Sequence, residues 1–186
     1  MKRLLVLMVT VLLLAGCGKQ DDHLDRALSV RERLLNANGC SFDAVITADY
    51  ADKTYTFGMQ CLFDKEGNLS FTVTAPQTIA GITGGIAINS GKLTFDDKVL
   101  AFSLLADGEL SPVSAPWLLI KSLRGGYLQS GTSDEGLTHL TIDDSYEADA
   151  LKMELWLNDA QLPAAAEIIW QGRRILTVTV DNFQYL

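Results

Sequence analysis

The chain has 186 residues, with 15 Lys and Arg against 23 Asp and Glu, a formal net charge of −8 at pH 7. Such a surface repels nucleic-acid phosphates and anionic headgroups. No basic stripe along the chain reverses the sign, so nucleic acid is excluded as a partner. The length suits one domain with a real core and is short for two.

Lys2 and Arg3 precede an apolar run from Leu4 to Leu14, and small residues follow. A basic start, a short apolar stretch and small residues before a cut describe an export signal. The run is well under the roughly 20 apolar residues of a membrane span. Leu14-Ala15-Gly16-Cys17 resembles the bacterial lipobox. That resemblance implies cleavage before Cys17, a thioether-linked diacylglycerol on its sulfur, and a new amine open to acylation. The rival reading is an ordinary secretory signal with a chance cysteine. The expected organisation is a removed signal (1–16), a lipidated tether (17–21) and one domain (22–186). Cleavage removes Lys2 and Arg3, which leaves 13 cations against 23 acids and a net charge of −10. The body is then repelled by anionic lipid, so acyl chains must supply attachment. Each buried CH₂ contributes about 0.8 kcal/mol, so two or three chains hold firmly where one does not. The expected location is the extracytoplasmic face of the cell membrane. Gly18, where an Asp would signal retention in the inner membrane, leaves outer-membrane sorting open in a two-membrane cell.

From Asp22 to Asn38 the spacing predicts a helix. Asp21 or Asp22 caps it, Leu24, Ala27, Leu28, Arg31, Leu34 and Leu35 form the stripe, and Asn38-Gly39 supply a left-handed stop. Cys40 to Ala48 and Thr54 to Phe63 alternate as a hairpin around the turn chemistry of Asp49 to Lys53. Paired numbers summing to 101 set Cys40 opposite Cys61, Phe42 opposite Met59, Ala44 opposite Phe57 and Ile46 opposite Tyr55. This register predicts a Cys40–Cys61 disulfide, worth roughly 3 kcal/mol in the chain-entropy model. Two reduced thiols, or a bridge between chains, are the rival states. Two cysteines and two distant histidines do not assemble a zinc site.

Asp64 to Asn68 reads as a turn and Leu69 to Ala75 as a half-buried strand. Pro76 to Gly85 is too broken for a long helix and too apolar for a plain loop. Asn89-Ser90-Gly91 turns into a strand at Lys92 to Phe95, closed by Asp96-Asp97. Pro116 to Arg124 reads as a short helix with Ser114 as cap and Gly125-Gly126 as stop. Strands follow at Leu137–Ile142, Leu151–Leu157, Ala165–Gln171 and Arg174–Phe183. Gly172 marks a tight turn whose register reads two ways. The fold class is α+β, mainly antiparallel β, with seven to nine strands in meander order and the two helices covering one face.

The helix ahead of the first hairpin, the Asn89 to Phe95 turn and strand, and the tail from Leu162-Pro163 through Gln171-Gly172-Arg173 to Asn182-Phe183 resemble the LolA/LolB-like group of lipoprotein carriers. The resemblance spans nearly all of 22–186 and rests on soft motifs, turns and alternation. It implies an incomplete antiparallel barrel around an apolar cavity, lidded by helices, that holds acyl chains. Soluble carriers of the group lack a lipid anchor, which sets this chain nearer its membrane-bound members. Clostridial spore-germination accessory lipoproteins look similar too, and there the role is partner assembly.

No catalytic constellation stands out, and neither metal nor cofactor is expected. Ser130-Gly131 and Ser133-Asp134 read as a polar loop without a neighbouring histidine. His139 alternates with Thr141 and Asp143, which predicts a water-facing side. The pairs Asp96-Asp97 and Asp143-Asp144 point to opposite faces when extended and cannot clamp one ion. Inward apolar positions run through Ile46, Phe57, Phe71, Val73, Leu93, Phe95, Leu140, Ile142, Met153, Leu155, Ile169 and Val178. Ile79, Ile82, Ile86 and Trp117 are candidate lid residues. Trp156 stands on the opposite face from Met153 and Leu155, as a candidate contact for an envelope protein. Two readings stay open: the inward set encloses an acyl chain, a lipid or a lipidated protein, or it packs against the chain's own lid and the protein works by docking a partner.

Overall fold

Helix α1 (Asp22–Asn36) lies on a second helix and on two strands, with Ala27, Val30 and Leu34 buried. Arg31 completes this i, i+3, i+4, i+7 stripe. Its Nε donates to the Leu123 carbonyl at 2.8 Å and its Nη2 to that of Gly126 at 2.6 Å. The expected stripe is therefore rotated: Leu28 (51% exposed) and Leu35 (47%) face outward, and Val30 replaces them. The guanidinium, which must reach the orphan carbonyls ending the other helix, sets the rotation. The helix stops at Asn36, and Gly39 opens a strand rather than a left-handed cap.

The computed structural model describes residues 22–51, 53–87, 90–95, 98–102, 105–106, 109–147 and 150–186; the side chains of Ser90, Leu93, Phe95 and residues 98–110 are outside the description. Cys17, the signal, the tether 17–21 and Asp96-Asp97 lie outside the described residues.

Strands β1 (Gly39–Asp49), β2 (Thr54–Asp64), β3 (Leu69–Ala75), β4 (Thr83–Ala87), β5 (Ser90–Phe95) and β6 (Lys98–Phe102) form one antiparallel meander. A short pair, β7 (Leu105–Ala106) and β8 (Glu109–Leu110), leads through a 3-10 turn into helix α2 (Ala115–Gly125). A second meander follows: β9 (Tyr127–Asp134), β10 (Leu137–Asp143), β11 (Lys152–Leu157), β12 (Pro163–Trp170) and β13 (Arg173–Tyr185). The β1–β13 ladder joins the two into one open eleven-stranded sheet, an incomplete barrel with β6 and β9 as edges. The count exceeds the expected seven to nine because β4, β6 and β9 join the ladder. Thr83-Gly84-Gly85 and Ser130-Gly131-Thr132-Ser133 have weak strand propensity, which pairing on both sides overrides in β4. The supposed polar loop at Ser130 to Asp134 is edge strand β9.

In the first hairpin the register is offset by two residues. Cys40 faces Phe63, Phe42 faces Cys61, Ala44 faces Met59 and Ile46 faces Phe57. The connection explains the offset. The expected register leaves Tyr50-Ala51 as a two-residue turn needing positive φ at both positions. The observed four-residue connection is longer and takes a positive φ at Ala51 (φ 68°), whose N–H bonds Asp49 Oδ1 at 2.9 Å. At the last hairpin the ambiguity resolves the other way: Gln171 (φ 50°) and Gly172 (φ 75°) make a two-residue turn, with Trp170 facing Arg173.

Eight of the eleven residues of α2 are buried, Trp117, Leu119, Ile120 and Leu123 among them. A helix apolar nearly all round belongs inside. Trp117 Nε1 donates to the Gly67 carbonyl at 2.9 Å and Arg124 Nη2 to that of Lys65 at 2.9 Å, which clasps the β2–β3 turn. That turn is rigid in itself, because Asn68 donates to both carboxylate oxygens of Asp64. Burial pushes the Asp64 carboxyl up, but these bonds and those from backbone amides outweigh it and hold its pKa below the ordinary value. Ser114 does not cap the helix as expected; its Oγ donates to the Ser111 carbonyl instead.

Leu119→Ala is expected to destabilise the fold by about 2–5 kcal/mol in urea unfolding, because a fully buried side chain is removed. Leu28→Ala, on the exposed face of α1, is expected to stay within about 0.5 kcal/mol of the parent.

Candidate functional site

The helix-facing side of the sheet gathers most of the expected inward set. Ile46, Phe57, Phe71, Val73, Leu140, Ile142, Met153, Leu155 and Val178 share one core, none more than 8% exposed. A hollow wide enough for an acyl chain would leave accessible area on its walls. Here α2 lies against β2, β10 and β13, and its buried side chains share one core with the inner-face residues. Phe95 lies outside the described side chains. Ile169 is a correction: Ala166 and Ile168 point inward, whereas Ile169 pairs with Lys152 on the outer face, next to a register shift in the β12–β13 ladder. Adjacent isoleucines in a period-2 pattern leave the inward one undecided until pairing is known.

The lid set separates. Ile86 is a buried wall residue of β4, paired with Leu69, and so is no lid. Ile79 is exposed in the turn before β4, and Ile82 packs half-buried against the core. Trp117 alone of the four covers the sheet's inner face.

Cys40 and Cys61 share the inner face as diagonal neighbours, and both are free, buried thiols. The expected side-by-side placement fails because of the two-residue offset. Diagonal neighbours stand about 7–8 Å apart, too far to bridge without backbone movement. Burial pushes the Cys40 thiol up to about 12, partly opposed by Arg124. Burial, Asp43 and Cys40 push Cys61 higher still. Neither is a ready nucleophile.

The outer face of β9, β10 and β11 carries a polar cluster around the two aromatic rings singled out in the sequence. His139 stacks on Trp156 with centroids 4.6 Å apart, and the indole N–H donates to Asp134 Oδ2 at 2.8 Å. His139 Nε2 lies 2.9 Å from Glu154 Oε2, off the line of a hydrogen bond, and Thr141 Oγ1 donates to the same oxygen at 2.8 Å. The pairing of Glu154 with Glu167 across the β11–β12 ladder sets like charges side by side; Arg174 offsets the second at 2.6 Å. Thus His139 is half-buried rather than water-facing, and Trp156 is held by its neighbours rather than offered free. Among the described residues no group of three or more His, Cys, Asp or Glu is placed to hold a metal ion. None of the described helices is long and apolar enough to cross a membrane.

Sequence reasoning missed a feature at the other end of the outer face. Strands β3, β4 and β5 form an open groove of about 480 Å³ over Gly84 and Gly85. Its hydroxyl residues read only as the exposed half of an alternating pattern.

The thiols set a pH dependence. In the unfolded chain they ionise near pH 8.5, whereas in the fold they keep their protons well above that. Stability is then full below about pH 8.5 and falls as pH rises toward 12, by up to about 1.4 kcal/mol per pH unit for each thiol. Urea unfolding between pH 8 and 10 is expected to show this slope, and Cys40→Ala with Cys61→Ala to lose it. A bridged protein would lack the slope and be sensitive to dithiothreitol.

No family model and no curated protein matches the sequence. Solved structures do match. A LolA superfamily protein of Nitrosomonas europaea is 11% identical, with 86% of this chain and 93% of that one covered and a TM-score of 0.46. The Mycobacterium tuberculosis lipoprotein LppX is 12% identical, with 87% and 92% covered and a TM-score of 0.40. A chain of the complex between the CwlD amidase and the GerS lipoprotein of Clostridioides difficile is 15% identical, with 91% and 99% covered and a TM-score of 0.42.

Proposed function

We propose that this chain is a non-enzymatic lipoprotein of the cell envelope, held on the extracytoplasmic face by acyl chains on Cys17. In this reading its half-barrel is filled by its own helix, and it acts by presenting its surface to an envelope partner rather than by carrying a lipid. The observation that carries the proposal is the burial of the nine inner-face candidates in one core with the buried side chains of α2, Trp117 among them. An acyl chain would have to displace that helix, with the loss of its bonds to the β2–β3 turn and to Arg31. The lipobox and the net charge support attachment by lipid rather than by surface charge.

Cys17→Ser is expected to move the protein from the membrane fraction to the soluble one, with loss of the acyl mass from the mature terminus. An unchanged distribution would refute the anchor.

Native protein in a mild detergent is expected to carry no lipid beyond that on Cys17, and its Tm to stay within about 1 °C when palmitate is added. A saturable rise of several degrees would instead establish the carrier reading. Trp117→Ala is expected to destabilise by about 3–5 kcal/mol and to create binding of an apolar dye that the parent lacks.

A further inference from the structure

The sheet stays open at two edges, β6 and β9. An edge presents a row of main-chain N–H and C=O groups without strand partners, which natural sheets blunt with lysine, proline, a bulge or a covering element. Strand β6 opens on Lys98. Strand β9, running Tyr-Leu-Gln-Ser-Gly-Thr-Ser-Asp, has no lysine, arginine or proline. Its one such device is a bulge at Gln129, where the β9–β10 register shifts. Ser130 to Asp134 then run straight for about 15 Å.

Helix α1 covers only the inner side of this strand. A Cβ on Gly131 would lie 2.7 Å from the His23 Cβ, so the first turn of α1 rests there. Gln129, Ser130, Thr132, Ser133 and Asp134 remain exposed, and among the described residues β10 is the one strand that pairs with β9. Whatever completes a ladder must itself be extended main chain. The edge therefore specifies a peptide before any side chain is considered.

The charge around the edge specifies which peptide. Asp134 and Glu135 stand at its carboxyl end. Asp143, opposite Tyr127, stands at its amino end, with Asp144 and Glu147 in the connection that follows. Among the described residues none of these five carboxylates is in an ion pair. Lys152 faces Asp143 across the β10–β11 ladder without closing one, and Arg26 is directed to Asp22 and Thr138. The rings of Tyr127 and the exposed Tyr146 pack together at the amino end, where an aromatic face suits a cation. A second copy of this acidic chain would bring like charges together here, whereas a basic segment neutralises them. We propose that the open edge of β9 takes an extended, basic segment of an envelope protein as an added strand. Its main chain completes the ladder, and its Lys or Arg side chains meet the carboxylates at either end. This rests on the reading that the chain works by presenting its surface to such a partner, and it names the surface.

The test titrates the acylated protein in mild detergent with fluorescein-labelled Lys-Lys-Val-Thr-Val-Thr-Lys-Lys, read by anisotropy and by amide exchange. Saturable binding with a Kd below about 1 mM at low salt is expected, weakening severalfold in about 0.5 M NaCl. Exchange should slow across residues 127–134 and stay unchanged across 98–102. The same peptide with Glu for each Lys, or with Pro for its central Thr-Val, should bind at least about tenfold more weakly. One has lost the charge and the other its N–H donors. Glu135→Lys with Glu147→Lys, both exposed, should weaken binding about tenfold and leave the Tm within about 2 °C. No saturable binding, equal binding of the glutamate or proline peptide, or protection elsewhere instead would each overturn the proposal, as would peptide-free dimers protecting the same amides. The palmitate titration separates the two claims. With the Tm unchanged by palmitate, these failures remove β9 alone, whereas a saturable rise removes the wider reading.

Discussion

Everything in this molecule depends on one buried helix lying across the inner face of a sheet. Helix α2 is apolar on nearly all sides, so water cannot accept it anywhere on the surface, and the sheet's inner face is apolar enough to receive it. Directional bonds then choose its position. The Trp117 indole and the Arg124 guanidinium reach carbonyls of the β2–β3 turn, and Arg31 of α1 closes the carbonyls at and beyond its other end. Hydrophobic burial supplies the energy without preferring an orientation; these few donors supply the orientation.

That arrangement also explains the connectivity. The first meander runs outward from β1, the chain crosses through α2, and the second meander returns to place β13 beside β1. One crossing is enough to carry the helix over the hollow side, and the central β1–β13 ladder makes one sheet of two hairpin series. The inner face thereby becomes packing. The outer face keeps its polar clusters, one tied around Trp156 and His139 and the other left open over Gly85. The inner face is buried in one core with α2, whereas the outer face keeps side chains within reach of solvent.

Much of the fold was legible in the chain, in a particular way. Alternation identified the inward residues of β1, β3, β10 and β11, and those of β2 apart from the half-exposed Tyr55, because successive side chains in a strand must oppose each other. It identified the wrong cross-strand partners for Cys40, because a shift of two residues leaves every face unchanged. The same insensitivity spoils the reading of Ile168 and Ile169, where both neighbours are apolar and the pattern offers no phase. Strands β4 and β9 escaped notice because glycine and hydroxyl residues give weak local preference, and pairing with neighbours supplies what propensity lacks. Leu28 and Leu35 misled for the opposite reason: their helical spacing is good, but the face that packs was chosen by Arg31.

What the sequence by itself determined was periodicity: which segments are extended, which side of each strand is oily, where the chain turns, and the lipobox-like start before the domain. What only the tertiary structure decided was phase and partner: which residues stand opposite across a ladder, which stripe of α1 packs, and whether the oily side is occupied from within. The reason is physical. Periodicity is a property of one segment's backbone geometry, whereas register and occupancy are properties of pairs of segments, and no single segment carries them.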